Sequence, residues 1–216
     1  MFNIQFNDGS QLTPSKVIGV GLNYVAHIEE MKNTKPSEPV LFIKPTTALC
    51  DFTQPLIIPK NMGSVHHELE LAVTIKKECS RVNRQEAPDF IAGFGMALDL
   101  TLRDIQSDAK AKGRPWAVAK GFDKSCPVTT FFKKKLSDVS DNRLTLKLNG
   151  SLKQSAQTSL MLFKIDELIS YISKIFTLLP GDIILTGTPS GVGPLAGGDK
   201  IEAAIQGLVS AETHVL

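Results

Sequence analysis

Several segments of the 216-residue chain either alternate apolar and polar residues with the period of two of a β-strand or run apolar as buried strands do, and helical spacing appears in three others. The stretch Val65-His66-His67-Glu68-Leu69-Glu70-Leu71-Ala72-Val73-Thr74-Ile75 alternates and ends β-branched. It predicts one strand with Glu68 and Glu70 projecting from the same face. Phe2 to Phe6 predicts a short edge strand turning at Asp8-Gly9, and Lys16 to Gly21 a buried strand whose glycines suit a close backbone approach. Pro39 to Pro45 reads as an apolar strand with Lys44 at its end. Phe90 to Thr101 reads as a buried strand interrupted by Asp99. Leu144 to Leu152 predicts a hairpin turning at Asn149-Gly150. Ile183 to Leu185, about Lys200 to Ile205 and Leu208 to Val215 supply the remaining strands. Helical spacing predicts a short helix over Asn23 to Met31, a second over Arg103 to Gly113, and the longest over Ser159 to Phe176. With no repeat, linker or low-complexity segment, this is one α+β, predominantly β domain spanning residues 1–216.

The chemistry concentrates on carboxylates. Two adjacent acids on one strand face repel unless a cation fills the space between them, and a buried Asp99 needs a strong partner. Glu68, Glu70 and Asp99 form an oxygen-only set, which favours Mg²⁺, with Mn²⁺ or Ca²⁺ as alternatives, in a site open to substrate. His66 shares the predicted face and would pull the choice toward Zn²⁺, but a surface or supporting role is preferred for His66 and His67. On the first helix, i, i+3 spacing brings Glu30 to His27, and a carboxylate on an imidazole makes a general base. Lys44 either snorkels to water or faces a pocket. Lys120 sits among apolar residues. The loop Thr186 to Pro194 is rich in glycine and hydroxyls and suits presenting backbone N–H groups to a carboxylate or phosphate.

Composition narrows the class. With 24 basic and 22 acidic residues the formal charge is +2, too weak a field to recruit nucleic acid or an anionic membrane. Lys133-Lys134-Lys135 is expected to be a solvated loop. Gly19-x-Gly21 lacks the third glycine of a dinucleotide fingerprint, and the 186–194 loop lacks the Gly-Lys-Ser/Thr of a P-loop. Cys50, Cys79 and Cys126 form no paired pattern, and no signal peptide or apolar run of about 18 residues is visible. A reduced, cytoplasmic setting is the expectation.

Asn23-Tyr24 followed by His27-x-x-Glu30, Glu-Pro-Val-Leu-Phe-Ile-Lys-Pro at 38–45, His-His-Glu-Leu-Glu-Leu at 66–71, Leu-Asp-Leu-Thr-Leu-Arg-Asp at 98–104, Lys120 and Leu-Thr-Gly-Thr-Pro-Ser-Gly-Val-Gly at 185–193 together resemble the fumarylacetoacetate hydrolase family. The likeness is to its short, single-domain acylpyruvase and oxaloacetate decarboxylase members, and it runs in order over nearly the whole chain. It implies a mixed β-roll and β-sandwich, a homodimer, Mg²⁺ or Mn²⁺ on Glu68, Glu70 and Asp99, and a His27/Glu30 dyad that activates water. It further implies Lys120 at the enolate or carbonyl oxygen, and substrate contacts from Arg103, Gln106 and Thr188, with Lys44 as a further candidate. The family's larger tyrosine-catabolism hydrolase carries an additional metal-binding Asp shortly before its His, and none lies near His27. The expected reaction is hydrolysis of an acylpyruvate to a carboxylate and pyruvate, or oxaloacetate decarboxylation, both through pyruvate enolate. The alternatives are isomerisation of 2-oxo diacids, such as oxaloacetate tautomerisation, and metal-dependent binding without turnover.

Overall fold

The computed structural model describes residues 2–216. Its centre is a seven-stranded mixed sheet, ordered Val40–Lys44, Val17–Gly21, Ile183–Leu185, Leu69–Ile75, Ile91–Leu98, Cys126–Val128 and Leu49–Asp51. Alternation sorts the central strands onto two apolar layers. Leu69, Leu71, Val73 and Ile75 join Ile18, Val20 and Ile184 in the larger core, against Leu144, Leu146 and Ile201 of a four-stranded antiparallel sheet and Leu168, Ile169 and Ile172 of the long helix. Ala72, Ala97, Val17, Ile183 and Leu185 face a smaller core with Ile4, Phe6 and Phe131. Strands outweigh helices, as expected.

The Leu144–Leu152 hairpin forms as read. Asn149 and Gly150 both take positive φ, 52° and 78°, which the two-residue turn between Leu148 and Ser151 requires. The described residues form four α-helices: Val25–Glu30 (α1), Arg103–Ala111 (α2), Ala117–Lys120 (α3) and Ile165–Ile175 (α4). The last is shorter than its spacing predicts. Asn23 is the cause: its carbonyl accepts the Leu162 N–H at 2.9 Å, and its side-chain oxygen accepts the Phe163 N–H at 2.7 Å. Those donors are withdrawn from any helical ladder, so 161–164 stays outside the helix and Thr158–Leu160 forms a separate 3₁₀ turn. No helix among the described residues is long and apolar enough to cross a membrane.

The larger departure lies in 65–75, which is two strands. Val65–His67 pairs with Gly193–Pro194 and Thr101–Leu102 in a small sheet, whereas Leu69–Ile75 belongs to the large one. Glu68 is the residue between them. The 90–101 strand breaks in the same way after Leu98, and the Asp99 N–H donates to the Glu68 carbonyl at 2.8 Å. The expectation of Glu68 and Glu70 on one continuous strand face is therefore corrected: they converge where the chain passes from one sheet to another.

Candidate active site

Glu68, Glu70 and Asp99 each offer a carboxylate oxygen, and these atoms lie within 4.8 Å of one another. All three side chains are buried. No histidine joins the group, so the zinc option through His66 is not realised. His67 is turned away: its Nδ1 meets the Gln154 side-chain oxygen at 3.2 Å. An all-oxygen donor set of this kind suits a hard divalent cation. The electrostatics agree. Burial, with the Asp99 and Glu68 charges, pushes the Glu70 carboxyl well above its ordinary range against the opposing pull of Lys120 and the Gly187 N–H. A cation is what such a group lacks. Burial also raises Glu68, but the Lys120 and Arg103 charges overcome it and hold this carboxyl below the usual range.

Three cations surround the acids. Lys120, the last residue of α3, bridges Glu68 Oε2 at 2.8 Å and Asp99 Oδ2, and also donates to the Thr101 hydroxyl at 2.7 Å. Burial disfavours its charge, yet Asp99 and Glu68 more than compensate and raise its pKa, so it stays an ammonium. Arg103, at the start of α2, donates to Glu68 Oε1 and to the Gln106 side-chain oxygen, the latter at 2.7 Å. Lys44 is fully buried and donates to Asp99 Oδ1 at 2.6 Å. It neither snorkels nor lines the cleft. It backs Asp99 from behind, so a substrate contact is not the place it occupies.

A narrow cleft opens beside the acids, and His27, Glu68, Glu70, Asp99, Arg103, Gln106, Lys120 and Thr188 are among its walls. His27 Nδ1 lies 3.0 Å from Glu30 Oε2. Because the carboxylate only accepts, Nδ1 carries the proton and Nε2 is left basic. Glu30 does not reach the cleft and serves to orient His27. Its other oxygen accepts the Gly191 N–H at 2.9 Å.

The glycine-rich loop does present backbone N–H groups to carboxylates, as its sequence suggests, but the carboxylates are the protein's own. The Gly187 N–H donates to Glu70 Oε2 at 2.6 Å and the Gly191 N–H to Glu30 Oε1. Both amides serve the protein's own carboxylates. Thr188 does line the cleft, but its hydroxyl donates to the Leu69 carbonyl at 2.9 Å.

Two contributors escape sequence reasoning. Gln154, fully buried on Ser151–Gln157, uses all its hydrogen-bonding capacity: its oxygen accepts from Leu69 N and His67 Nδ1, and its nitrogen donates to the Thr188 hydroxyl and the Pro189 carbonyl. The only signal was a polar residue at a position in the alternation that faces inward. Phe42 lines the cleft with its ring 4.9 Å from the Lys120 ammonium. The ring fits because residue 19 is glycine, where a Cβ would stand 2.1 Å from it. This is the close approach the strand glycines suggested.

Buried acids gathered for a hard cation, beside a histidine that a carboxylate orients, serve catalysis better than stability, because an apolar core would be cheaper to fold. The chain is an enzyme, and comparison with known proteins gives its kind. Residues 16–216 match the family model described as fumarylacetoacetate (FAA) hydrolase C-terminal, and the chain belongs to the fumarylacetoacetate hydrolase family. It is 51% identical over 204 residues to the oxaloacetate tautomerase YcgM of Escherichia coli (strain K12), covering 94% of this chain and 93% of that one. It is 49% identical over 195 residues to the mitochondrial oxaloacetate tautomerase FAHD1 of Homo sapiens, covering 90% and 88%. The solved structure of fumarylpyruvate hydrolase from Pseudomonas aeruginosa in complex with Mn²⁺ and pyruvate superimposes with a TM-score of 0.93 at 31% identity, covering 100% of this chain and 95% of that one.

Proposed function

We propose that this enzyme interconverts the keto and enol forms of a small 2-oxo diacid, with oxaloacetate as the reference substrate and Mg²⁺ or Mn²⁺ as its ion. The observation that carries the reading is the charge arrangement around the cleft. Lys44, Lys120 and Arg103 pair with Glu68 and Asp99 and Glu70 adds a third carboxylate beside them, so with all six groups ionised the cluster is neutral by itself and positive by two once it holds a divalent ion. A dianionic substrate complements that charge. The names of the two curated relatives support the same substrate and favour isomerisation over the C–C hydrolysis expected from the sequence.

An ion held by Glu68, Glu70 and Asp99 would act as a Lewis acid on the 2-oxo group. The protein's own groups move the proton. His27, with Nδ1–H fixed by Glu30, accepts a C3 proton at Nε2. The electron pair of the broken C–H bond passes into the C2–C3 bond, and negative charge builds on the C2 oxygen. Lys120 donates a hydrogen bond or a proton there, since its acidic neighbours keep it protonated. Phe42 shields the Lys120 ammonium on one side. The reverse path regenerates the ketone, and no water attacks.

Hydrolysis of acylpyruvates is the second reading, favoured by the likeness to the Pseudomonas fumarylpyruvate hydrolase. It would use the same polarised carbonyl with His27 activating water. The two separate by assay. With Mg²⁺ present, decay of the ultraviolet absorbance of enol-oxaloacetate should accelerate strongly, with loss of C3–H signals in D₂O and little pyruvate by coupled lactate dehydrogenase. Stoichiometric pyruvate from an acylpyruvate, with tautomer exchange at the buffer rate, would give the assignment to hydrolysis.

A further inference from the structure

Four basic side chains line the cleft: His27, Arg103, Lys110 and Lys120. Three are committed. His27 faces Glu30, Arg103 is shared between Glu68 and Gln106, and Lys120 is held by Glu68, Asp99 and Thr101. Lys110 makes no ion pair with any described residue. Its ammonium stands 5.2 Å from the centre of the Trp116 ring, at the cleft's rim.

The helix sets where it stands. Arg103, Gln106 and Lys110 follow i, i+3, i+7 spacing, so they form one stripe along α2. Arg103 ends the stripe at the carboxylates, and Lys110 is two turns, about 10 Å, farther along the axis. An aromatic wall runs alongside: Lys110 over Trp116, Trp116 tilted against Phe42 with ring centres 6.1 Å apart, and Phe42 over Lys120. One ammonium is thereby fixed at the acid cluster and a second at the rim. Burial and the nearby Arg103 and Lys120 charges lower the Lys110 pKa, with Glu68 opposing. Lys110 is crowded by cations and short of an anion.

From this geometry we infer that Lys110 is the specificity-determining residue that binds the distal carboxylate of the substrate and selects diacids over 2-oxo monoacids. The inference rests on the proposed function for the orientation of the substrate. The 1-carboxylate and 2-oxo group sit at the acid cluster, where charge develops, which leaves the second carboxylate directed along α2. Trp116 prevents the lysine from collapsing onto Glu68 and keeps it available in the free enzyme.

The test compares Lys110→Met and Lys110→Arg with wild type, all loaded with Mg²⁺. The first readout is the ratio of kcat/KM for oxaloacetate tautomerisation to that for C3–H exchange of 2-oxobutanoate in D₂O. Lys110→Met should lower this ratio about 10- to 100-fold, the usual worth of a hydrogen bond to a charged group, and Lys110→Arg should stay within about threefold of wild type. The second readout needs no turnover. Trp116 is the chain's single tryptophan, so its fluorescence reports binding of 3,3-difluorooxaloacetate, which has no C3 hydrogen, against 2-oxobutanoate. The ratio of dissociation constants should shift by the same factor in Lys110→Met. Equal weakening of both ligands, or no weakening, overturns the role of Lys110. If wild type accelerates no tautomer exchange, the proposed function fails, while the binding ratio still decides on Lys110.

Discussion

The Gly191 N–H donates to Glu30 Oε1 at 2.9 Å across 161 positions of sequence, so the orientation of His27 depends on a loop far along the chain. Gly191 has φ +95°, and a Cβ there would stand 1.9 Å from the Lys153 carbonyl oxygen. Gly191→Ala must move the loop, and Glu30 loses its second anchor. The substitution should cost about 1–3 kcal/mol of stability from backbone strain and lower kcat about 10- to 100-fold by loosening the proposed base, His27. Thermal unfolding and steady-state kinetics check both. A variant with wild-type kcat would detach the loop from catalysis.

Glu68 and Glu70 respond to pH in opposite directions from the ordinary glutamate value of 4.5. Folded Glu68 is held below it, so its stabilising contribution is complete above pH 4.5 and is lost as pH falls. Folded Glu70 is held above it. As pH rises past 4.5 the unfolded chain ionises this residue while the folded one keeps its proton, and the apoprotein loses stability until the raised pKa is passed. A divalent ion needs the ionised form, so the rise in Tm on adding Mg²⁺ should grow as pH rises above 4.5 toward the raised pKa, with proton release seen by calorimetry in buffers of different ionisation enthalpy. A Tm increment that shrinks as pH rises would contradict this.

The Lys120 ammonium occupies the space among Glu68 and Asp99 oxygens that a cation would share. Lys120→Met should therefore bind Mn²⁺ more tightly than wild type, by up to about tenfold, while kcat falls roughly 10²- to 10³-fold through loss of a donor at the developing charge. Calorimetric titration and the enol assay read the two effects. Weaker metal binding in this variant would show that Lys120 supports the ligand set rather than competing with a cation.

Gln154→Met keeps the side chain's length and removes four hydrogen bonds. Leu69 N, His67 Nδ1, Thr188 Oγ1 and the Pro189 carbonyl each lose a buried partner, at about 1–3 kcal/mol for each group left unsatisfied. Some regain partners by relaxing, so a total loss of about 2–4 kcal/mol is expected. Divalent-ion affinity should fall about tenfold, as for other residues that hold ligands in place. Denaturant unfolding and metal titration measure these. Unchanged metal affinity in the destabilised variant would limit Gln154 to a packing role.

Much of this was legible from local pattern. The Asn149-Gly150 turn, the buried strands and the identity of the three acids follow from alternation, turn chemistry and the rarity of buried carboxylates, which act over a few residues. The breaks at Glu68 and after Leu98 were not legible. Alternation runs unbroken through 65–75, and only pairing with Gly193–Pro194 and Thr101–Leu102 pulls one half into a different sheet. The late start of the long helix was hidden for the same reason, since Asn23 acts on Phe163 across 140 positions. Lys44 illustrates the ambiguity of a lysine after an apolar run, because only the third dimension puts Asp99 at its tip. The backing of Glu30 and Glu70 by loop amides had no side-chain signature at all.

Glu70 faces the other acids because it lies opposite Ala97, with Leu69 opposite Leu98. Sliding that ladder by a single step would send Glu70 into the oily layer and bring a leucine to the place proposed for the ion. A molecule frozen in the slipped arrangement could keep most of its shape and still be inert, so errors in assembling this protein would announce themselves as missing chemistry sooner than as a missing fold.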